Sequence, residues 1–255
     1  MHYFASLVRS AFVTSCTAFY RHPNYSPFHR VPSVAMSLSP HSENVYPALA
    51  VFDMDACLWD KEMYEMPAIP TETVKGNLNG RGEGVAGVKS GPHVIRLHTG
   101  SLVALQEHHE GAYPGMRCVM ASSADTPKAE RIGRAALRLL EVVPGVTVWD
   151  VLMKDWAGED VNQIGRQPPL SSNKSKTHFP RIRELTGVKY DEMLFFDDCN
   201  WGDHCGMVSN GCKENNGEGV VSVRTPNGLR EADWRKGVDL YKEATLARKA
   251  RAAAS

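Results

Sequence analysis

The sequence has no excess of either charge: of its 255 residues, Lys plus Arg number 29 and Asp plus Glu number 29. A nucleic-acid binder usually carries a basic excess or a basic stripe, so a polyanionic partner is not expected. Long apolar runs are also missing. No stretch reaches the roughly 18 apolar residues of a membrane-spanning helix, so no membrane partner is expected either. Cysteine is sparse. Cys16, Cys57, Cys118, Cys199, Cys205 and Cys212 are scattered along the chain, unlike the dense cysteines of small secreted scaffolds, and read as reduced thiols. Cys199, Cys205 and Cys212, with His204, lack the paired C-x2-C hooks of structural zinc sites.

Acidic residues are absent from Met1 to Ser42, and Glu43 is the first. Arg9, Arg21 and Arg30 are interleaved there with Ser, Thr and aromatic residues, which is the composition of an organelle transit segment. The other reading is an untranslated or disordered leader with Met36 as the start. Both place residues 1–46 outside the fold and leave 47–255 as the folded domain. The expected location is cytoplasmic, or plastid or mitochondrial if the leader is a transit peptide. What remains has ordinary globular composition, with 42% hydrophobic and 23% charged residues.

Residues 48–52 (ALAVF) form a short apolar run that stops at Asp53, as a buried central strand does. Residues 116–121 (MRCVMA) end in the same way at Ser122 and Ser123, and residues 193–196 (MLFF) at Asp197 and Asp198. Further strands are expected at 147–152 and 220–223. Helices are expected at 99–109, capped by Thr99 or Ser101, at 126–143 with Pro127 in the first turn, at 179–186 before Gly187, and at 232–252. Residues 73–92 are rich in Gly and polar side chains. They read as a loop or small hairpin covering the strand ends, with 94–97 as a further strand of it. Residues 157–172 carry Pro168–Pro169 and no clear period, and read as an insertion or long loop. Strands alternating with helices predict an α/β fold: a doubly wound parallel sheet with helices on both faces and a small cap near residues 63–89. Ligands of such sheets sit beyond the carboxyl ends of the strands, where Asp53, Ser122 and Asp197–Asp198 would meet.

Two carboxylates two residues apart, Asp53 and Asp55, can both reach a ligand above the sheet. One can attack phosphorus and form an aspartyl-phosphate. The other can protonate the leaving oxygen and later activate water. The phosphoryl charge needs offsetting, which Mg2+ and a lysine can do. Asp53 and one of Asp197 or Asp198 would be the protein carboxylates on the metal, with the Asp55 backbone carbonyl as a further ligand. A D-x-D pair alone is a weak signal. Acidic groups directly after two apolar strands are harder to explain as surface decoration, because burying charge is costly.

Residues 48–59 (ALAVFDMDACLW) resemble the first motif of the magnesium-dependent phosphatase family, also called the acid phosphatase family, of the haloacid dehalogenase superfamily. Residues 120–123 (MASS) look like its second motif. Residues 176–179 (KTHF) and 183–187 (RELTG) resemble the segment of its third-motif lysine, and 193–198 (MLFFDD) its fourth, metal-binding motif. The resemblance spans roughly residues 48–244, with insertions near 77–89 and 150–172. It implies a haloacid dehalogenase-like fold and phosphomonoester hydrolysis with Mg2+. Asp53 would be the nucleophile, Asp55 the general acid/base and Ser122 a phosphate ligand. Asp198 would bind the metal, and Asp197 would bind or orient it. For the lysine, the family's position three residues before His178 is Ser175 here, and Lys174 and Lys176 on either side are both candidates for phosphate binding.

The sequence also departs from the family. Cys57 replaces the usual Thr, Ser123 stands where Arg is frequent, and residues 199–203 (CNWGD) replace a more acidic, Asn-rich stretch. The substrates implied are phosphorylated small molecules such as sugar phosphates, or phosphoprotein, with phosphotyrosine foremost. The alternative is a non-catalytic phosphate-binding or regulatory protein on the same fold, which would be expected to lack one of the two leading carboxylates. A phosphomutase would need a larger cap than the segment between Asp60 and Val94 provides.

Overall fold

A computed structural model describes residues 45–124, 126–165 and 171–254. The leader assigned to residues 1–46 lies outside them except for Val45 and Tyr46. These two residues pack against the core, and the Tyr46 hydroxyl donates to the Pro114 carbonyl at 2.6 Å. In chain order the first elements are β1 (Leu49–Phe52), β2 (Glu72–Asn77), β3 (Glu83–Ser90), β4 (His93–Ile95), α1 (Thr99–His109) and β5 (Arg117–Ser122). There follow α2 (Pro127–Leu139), β6 (Glu141–Val143), β7 (Val146–Thr147), α3 (Val148–Met153) and β8 (Gln163–Ile164). The chain continues with α4 (His178–Thr186), β9 (Met193–Asp197), α5 (His204–Gly211), β10 (Val221–Arg224) and α6 (Glu231–Ala253).

The result is a mixed α/β architecture around a five-stranded sheet of order β10-β9-β1-β5-β8, parallel throughout. The chain runs outward from β1 to β5 and β8, then returns to β9 and β10 on the other side of β1. The central strands are apolar on both faces because both faces are covered. Ala50, Phe52, Met120, Leu194 and Phe196 join a core with α1, α2, α3 and α6, while Leu49, Val51, Val119, Phe195 and Met193 join a second core with α4 and α5. Phe52 and Phe196 stack at 5.6 Å beneath Trp234 of α6. Among the described residues no helix is long and apolar enough to cross a membrane.

Several expectations are corrected. Residues 147–152 form mainly a helix, not a strand. Thr147 and Asp150 make a reciprocal capping box, and Val148, Val151 and Leu152 are buried, so the local capping decides for a helix. The helix expected to run to 143 ends at Leu139, where Leu140 turns extended and β6 begins. It starts as its sequence requires: Thr126 accepts from the Ala129 amide and Pro127 occupies the first turn. Neither Thr99 nor Ser101 caps α1. His98 holds that position without a side-chain bond, and the Gly100 amide instead donates to the Leu229 carbonyl. The segment 157–172 is not all loop, since β8 forms the edge of the main sheet. Helix α5 matches no element expected from the sequence.

The polar stretch 73–92 forms the hairpin, one of its two expected readings, with 93–95 as a further strand, but it does not cover the strand ends. β2, β3 and β4 form an antiparallel sheet. The tip between β2 and β3 docks on α1: Gln106 donates to the Leu78 and Val142 carbonyls, and Arg81 pairs with Glu110. No residue between 72 and 95 lines the cavity at the strand ends.

Gly100 lets α1 approach the start of α6. A Cβ there would lie 2.2 Å from the Arg230 carbonyl carbon and oxygen, backbone atoms that cannot swing away. Gly100→Ala is therefore expected to destabilise the fold by about 1–3 kcal/mol, the usual penalty for overpacking, measured as a lower urea midpoint.

Candidate active site

Parallel pairing of β1 with β5 and β9 carries the ends of three apolar strands to one edge of the sheet. Asp53, Ser122, Asp197 and Asp198, separated by up to 145 positions in the sequence, meet there (198 − 53). They are buried. Asp53 and Asp198, together with Asp55, Ser122, Ser123 and Lys174, line a cavity of about 330 Å³.

Lys174 organises the site. Its side chain is 1% exposed, and Nζ lies 2.7 Å from Asp53 Oδ1 and 2.6 Å from Asp197 Oδ2. Burial alone would lower its pKa, but the two carboxylates outweigh this and keep the ammonium protonated. Lys176, the other candidate lysine, is exposed and lies outside this set. The difference follows from the short turn before α4. Lys174 points inward, and its carbonyl accepts from the Phe179 amide.

Asp197 is fully engaged. One oxygen meets Lys174, the other accepts from the Cys199 amide at 2.8 Å, and His204 Nδ1 lies 3.2 Å from both. Burial pushes its pKa up, yet Lys174 and His204 hold it well below the usual carboxylate range. Asp53 shows the opposite balance. Burial raises its pKa despite Lys174, and Asp197 and Asp198 add to the rise. Asp198 is also raised by burial, against a hydrogen bond from the Asn200 amide at 2.9 Å.

Asp55 lines the same cavity but has neutral partners. It accepts from Trp59 Nε1 at 3.2 Å and from the Met63 amide at 3.0 Å. Burial lifts its pKa to about 7, against the pull of the Met63 amide. Trp59, which is fully buried in the core, is thus also a hydrogen-bond donor to this carboxylate. Ala56 and Cys199, each just past one of the acidic loops, have φ values of 54° and 57°. These left-handed conformations are costly for residues with a Cβ, and such strain concentrates at functional sites.

The second strand end is held by a neutral histidine. His178 Nε2 faces the Ser122 and Gly165 carbonyls at 3.1 and 3.2 Å, so this nitrogen carries the proton, and Thr177 Oγ1 donates to Nδ1. Burial and Lys174 lower the His178 pKa to about 4. Ser123 Oγ is buried in the cavity wall without a hydrogen-bond partner. Cys57 is buried away from the cavity lining and accepts from Thr225 Oγ1.

The donor set fits a hard divalent cation. Asp53, Asp197 and Asp198 each offer an oxygen, all within 4.8 Å of one another. Carboxylates crowded this closely repel one another unless a proton or a cation lies among them. The Asp55 carboxylate is not part of this group. Cys199 and Cys205 contact each other, and His204 is committed to Asp197, so these residues do not form a metal-capable group among the described residues.

His204, Glu62, Tyr64 and Trp201 also line the cavity. No spacing rule marks them in the sequence, because they come from loops whose path is set by the fold. A family model described as Acid Phosphatase matches residues 45–244. No curated protein matches the chain.

Replacing Lys174 by Met leaves Asp53 and Asp197 buried without their cation. The variant is expected to lose about 3–5 kcal/mol of stability in urea unfolding with a chelator present. Adding Asp197→Asn to Lys174→Met should cost less than the sum of the two single changes, because the second removes the charge that the first strands.

Proposed function

The chain belongs to the acid phosphatase family, and from that premise we propose that it is a magnesium-dependent phosphomonoesterase acting through an aspartyl-phosphate on Asp53. The observation that carries this reading is the buried Lys174 ammonium bridging Asp53 and Asp197 at the ends of adjacent parallel strands. The doubly wound, haloacid dehalogenase-like description of the fold belongs to the same reading, as does a leader ahead of the phosphatase domain, ending before Val45 and Tyr46, which pack against the core.

Asp53 and Asp198 would hold the magnesium ion, with the Asp55 backbone carbonyl. Asp197 is occupied by Lys174 and His204 and would orient the lysine. When bound, the ion offsets the charge of the phosphoryl oxygens. Lys174 supplies a second, fixed positive charge. The hydroxyls of Ser122 and Ser123 donate to the phosphoryl oxygens, which gives the buried Ser123 Oγ the partner it lacks.

An Asp53 oxygen attacks phosphorus as the bond to the leaving oxygen breaks, and Asp55 gives that oxygen its proton. Water then attacks phosphorus, Asp55 takes the proton back, and the bond to Asp53 breaks to release phosphate. A group with a pKa of about 7 can serve in both directions near neutral pH. On this reading the substrate is a phosphotyrosine side chain or a sugar phosphate, whose phosphoryl group would enter the cavity lined by Asp53, Asp55, Ser122 and Lys174.

Hydrolysis of p-nitrophenyl phosphate is expected to require magnesium, to stop with chelator, and to fall by more than about a thousandfold in Asp53→Asn. A folded wild type that binds phosphate but hydrolyses no monoester in magnesium would favour the binding role. With an alkyl phosphate, whose leaving oxygen needs a proton, kcat/KM should fall as pH rises through about 7, because the acid form of Asp55 is lost. The same limb should be absent with p-nitrophenyl phosphate, and absent for both esters in Asp55→Asn.

A further inference from the structure

Asp53, Asp197 and Asp198 each offer an oxygen within 4.8 Å of the others, so three carboxylates are close enough to share one cation. Asp197 has donors on both of its oxygens. Lys174 Nζ lies 2.6 Å from Oδ2, the Cys199 amide donates to Oδ1 at 2.8 Å, and His204 Nδ1 lies 3.2 Å from each. An ionised carboxylate only accepts, so His204 Nδ1 carries a proton and donates. The three donors are not equivalent. Lys174 also serves Asp53, and the Cys199 amide is backbone. His204 serves Asp197 alone, since its ring makes no other hydrogen bond among the described residues. The chain presents that ring from a fixed place. His204 opens α5, whose cap Asp203 accepts from the Gly206 amide at 2.9 Å, and the His204 amide donates to the Gly202 carbonyl at 2.9 Å.

We propose that His204 sets the metal selectivity of this centre, by donating to Asp197 and so withholding the third carboxylate from the cation. The inference rests on the magnesium reading above and adds the residue that enforces it. Asp53 and Asp198 then hold the ion, and water completes its shell. Mg2+ suits that arrangement, because it demands octahedral geometry, gives up water reluctantly and is held through one or two carboxylates. Ca2+ takes about six to eight oxygens in flexible geometry and gains from each further carboxylate oxygen. A carboxylate offers about four lone-pair sites. With His204 removed, Lys174 and the Cys199 amide still keep one donor on each Asp197 oxygen, so the carboxylate stays in place with lone pairs free. A freed Asp197 favours Ca2+ over Mg2+. His204 is a positioning residue in this scheme: it acts through Asp197 and touches neither the cation nor the phosphoryl group.

Calorimetry of Mg2+ and Ca2+ binding to the metal-free full chain, without substrate, reads this independently of turnover. His204→Phe and His204→Leu remove the donor. His204→Asn keeps one, since its amide nitrogen is bonded to Cγ as Nδ1 is. Both donor-less variants are expected to shift the ratio of the two dissociation constants about tenfold toward Ca2+, a usual size for the loss of an outer-shell partner. His204→Asn should keep the wild-type ratio. With Tb3+ as a Ca2+-like probe, luminescence lifetimes in H2O and D2O should show about one coordinated water fewer in His204→Phe than in wild type. A merely structural loss would weaken both cations alike and leave the water count. An unmoved ratio or water count in the donor-less variants overturns the proposal, as does His204→Asn behaving like them. A wild type that binds neither cation overturns it together with the magnesium requirement. If the ratio moves as expected in a protein that hydrolyses no monoester, the role of His204 stands and the hydrolase reading falls. If the enzyme is active in magnesium and the ratio does not move, the hydrolase reading stands and the role of His204 falls.

Discussion

A buried ammonium between two buried carboxylates is the interaction on which the site depends. Lys174 enters from the turn before α4, Asp53 from the end of β1 and Asp197 from the end of β9. Three separate segments are thereby fixed to one charged centre. Each of these charges alone would cost several kcal/mol to bury, and only their mutual contact makes the burial tolerable. His204 and the Cys199 amide complete the shell around Asp197, and the strained φ of Cys199 lets that amide reach it. The loops therefore owe their shape to electrostatics as much as to packing.

The sheet makes that centre possible. β1 lies between β5 and β9, so the chain leaves β1 to one side and later returns on the other. Crevices form at the carboxyl edge where neighbouring connections diverge. Both faces are buried, one by α1, α2, α3 and α6 and the other by α4 and α5. Rigid packing beneath Asp53 matters because the Phe52–Phe196 stack fixes the last apolar residue of each acidic strand.

The legible part of the sequence was the part governed by strong local rules. Apolar runs ending abruptly in Asp or Ser marked β1, β5 and β9 to within one residue, and Thr126–Pro127 marked the start of α2. Gly187 at φ 67° closed α4 as expected. Less was legible where tertiary contacts decide. At the start of α1 the Gly100 amide is satisfied by the Leu229 carbonyl, 129 positions further along the chain (229 − 100). β8 is two residues long and has no period to read; only its pairing with β5 defines it. The polar stretch 73–92 gave no hint that it would pack against α1 rather than over the cavity. Lys174 and Lys176 are equivalent in composition and differ only in which side of the turn faces the carboxylates. The rim residues Glu62, Tyr64 and Trp201 come together from loops more than a hundred residues apart, through a contact no local pattern encodes.

One side-chain type serves several ends here because the surroundings differ. Asp197, saturated by Lys174, His204 and an amide, stays ionised at any ordinary pH. Asp55, buried but holding two neutral donors, sits at about 7. Asp53 is pushed upward by burial and by Asp197 and Asp198, and Asp198 by burial and by Asp197, with too little positive charge to balance them. Asp197, held ionised by Lys174 and His204, adds to that imbalance rather than relieving it. A divalent cation between Asp53 and Asp198 would remove it, and would at the same time keep Asp53 in the ionised form that a nucleophile requires. The electrostatic deficit and the chemical requirement of the proposed reaction thus have the same remedy.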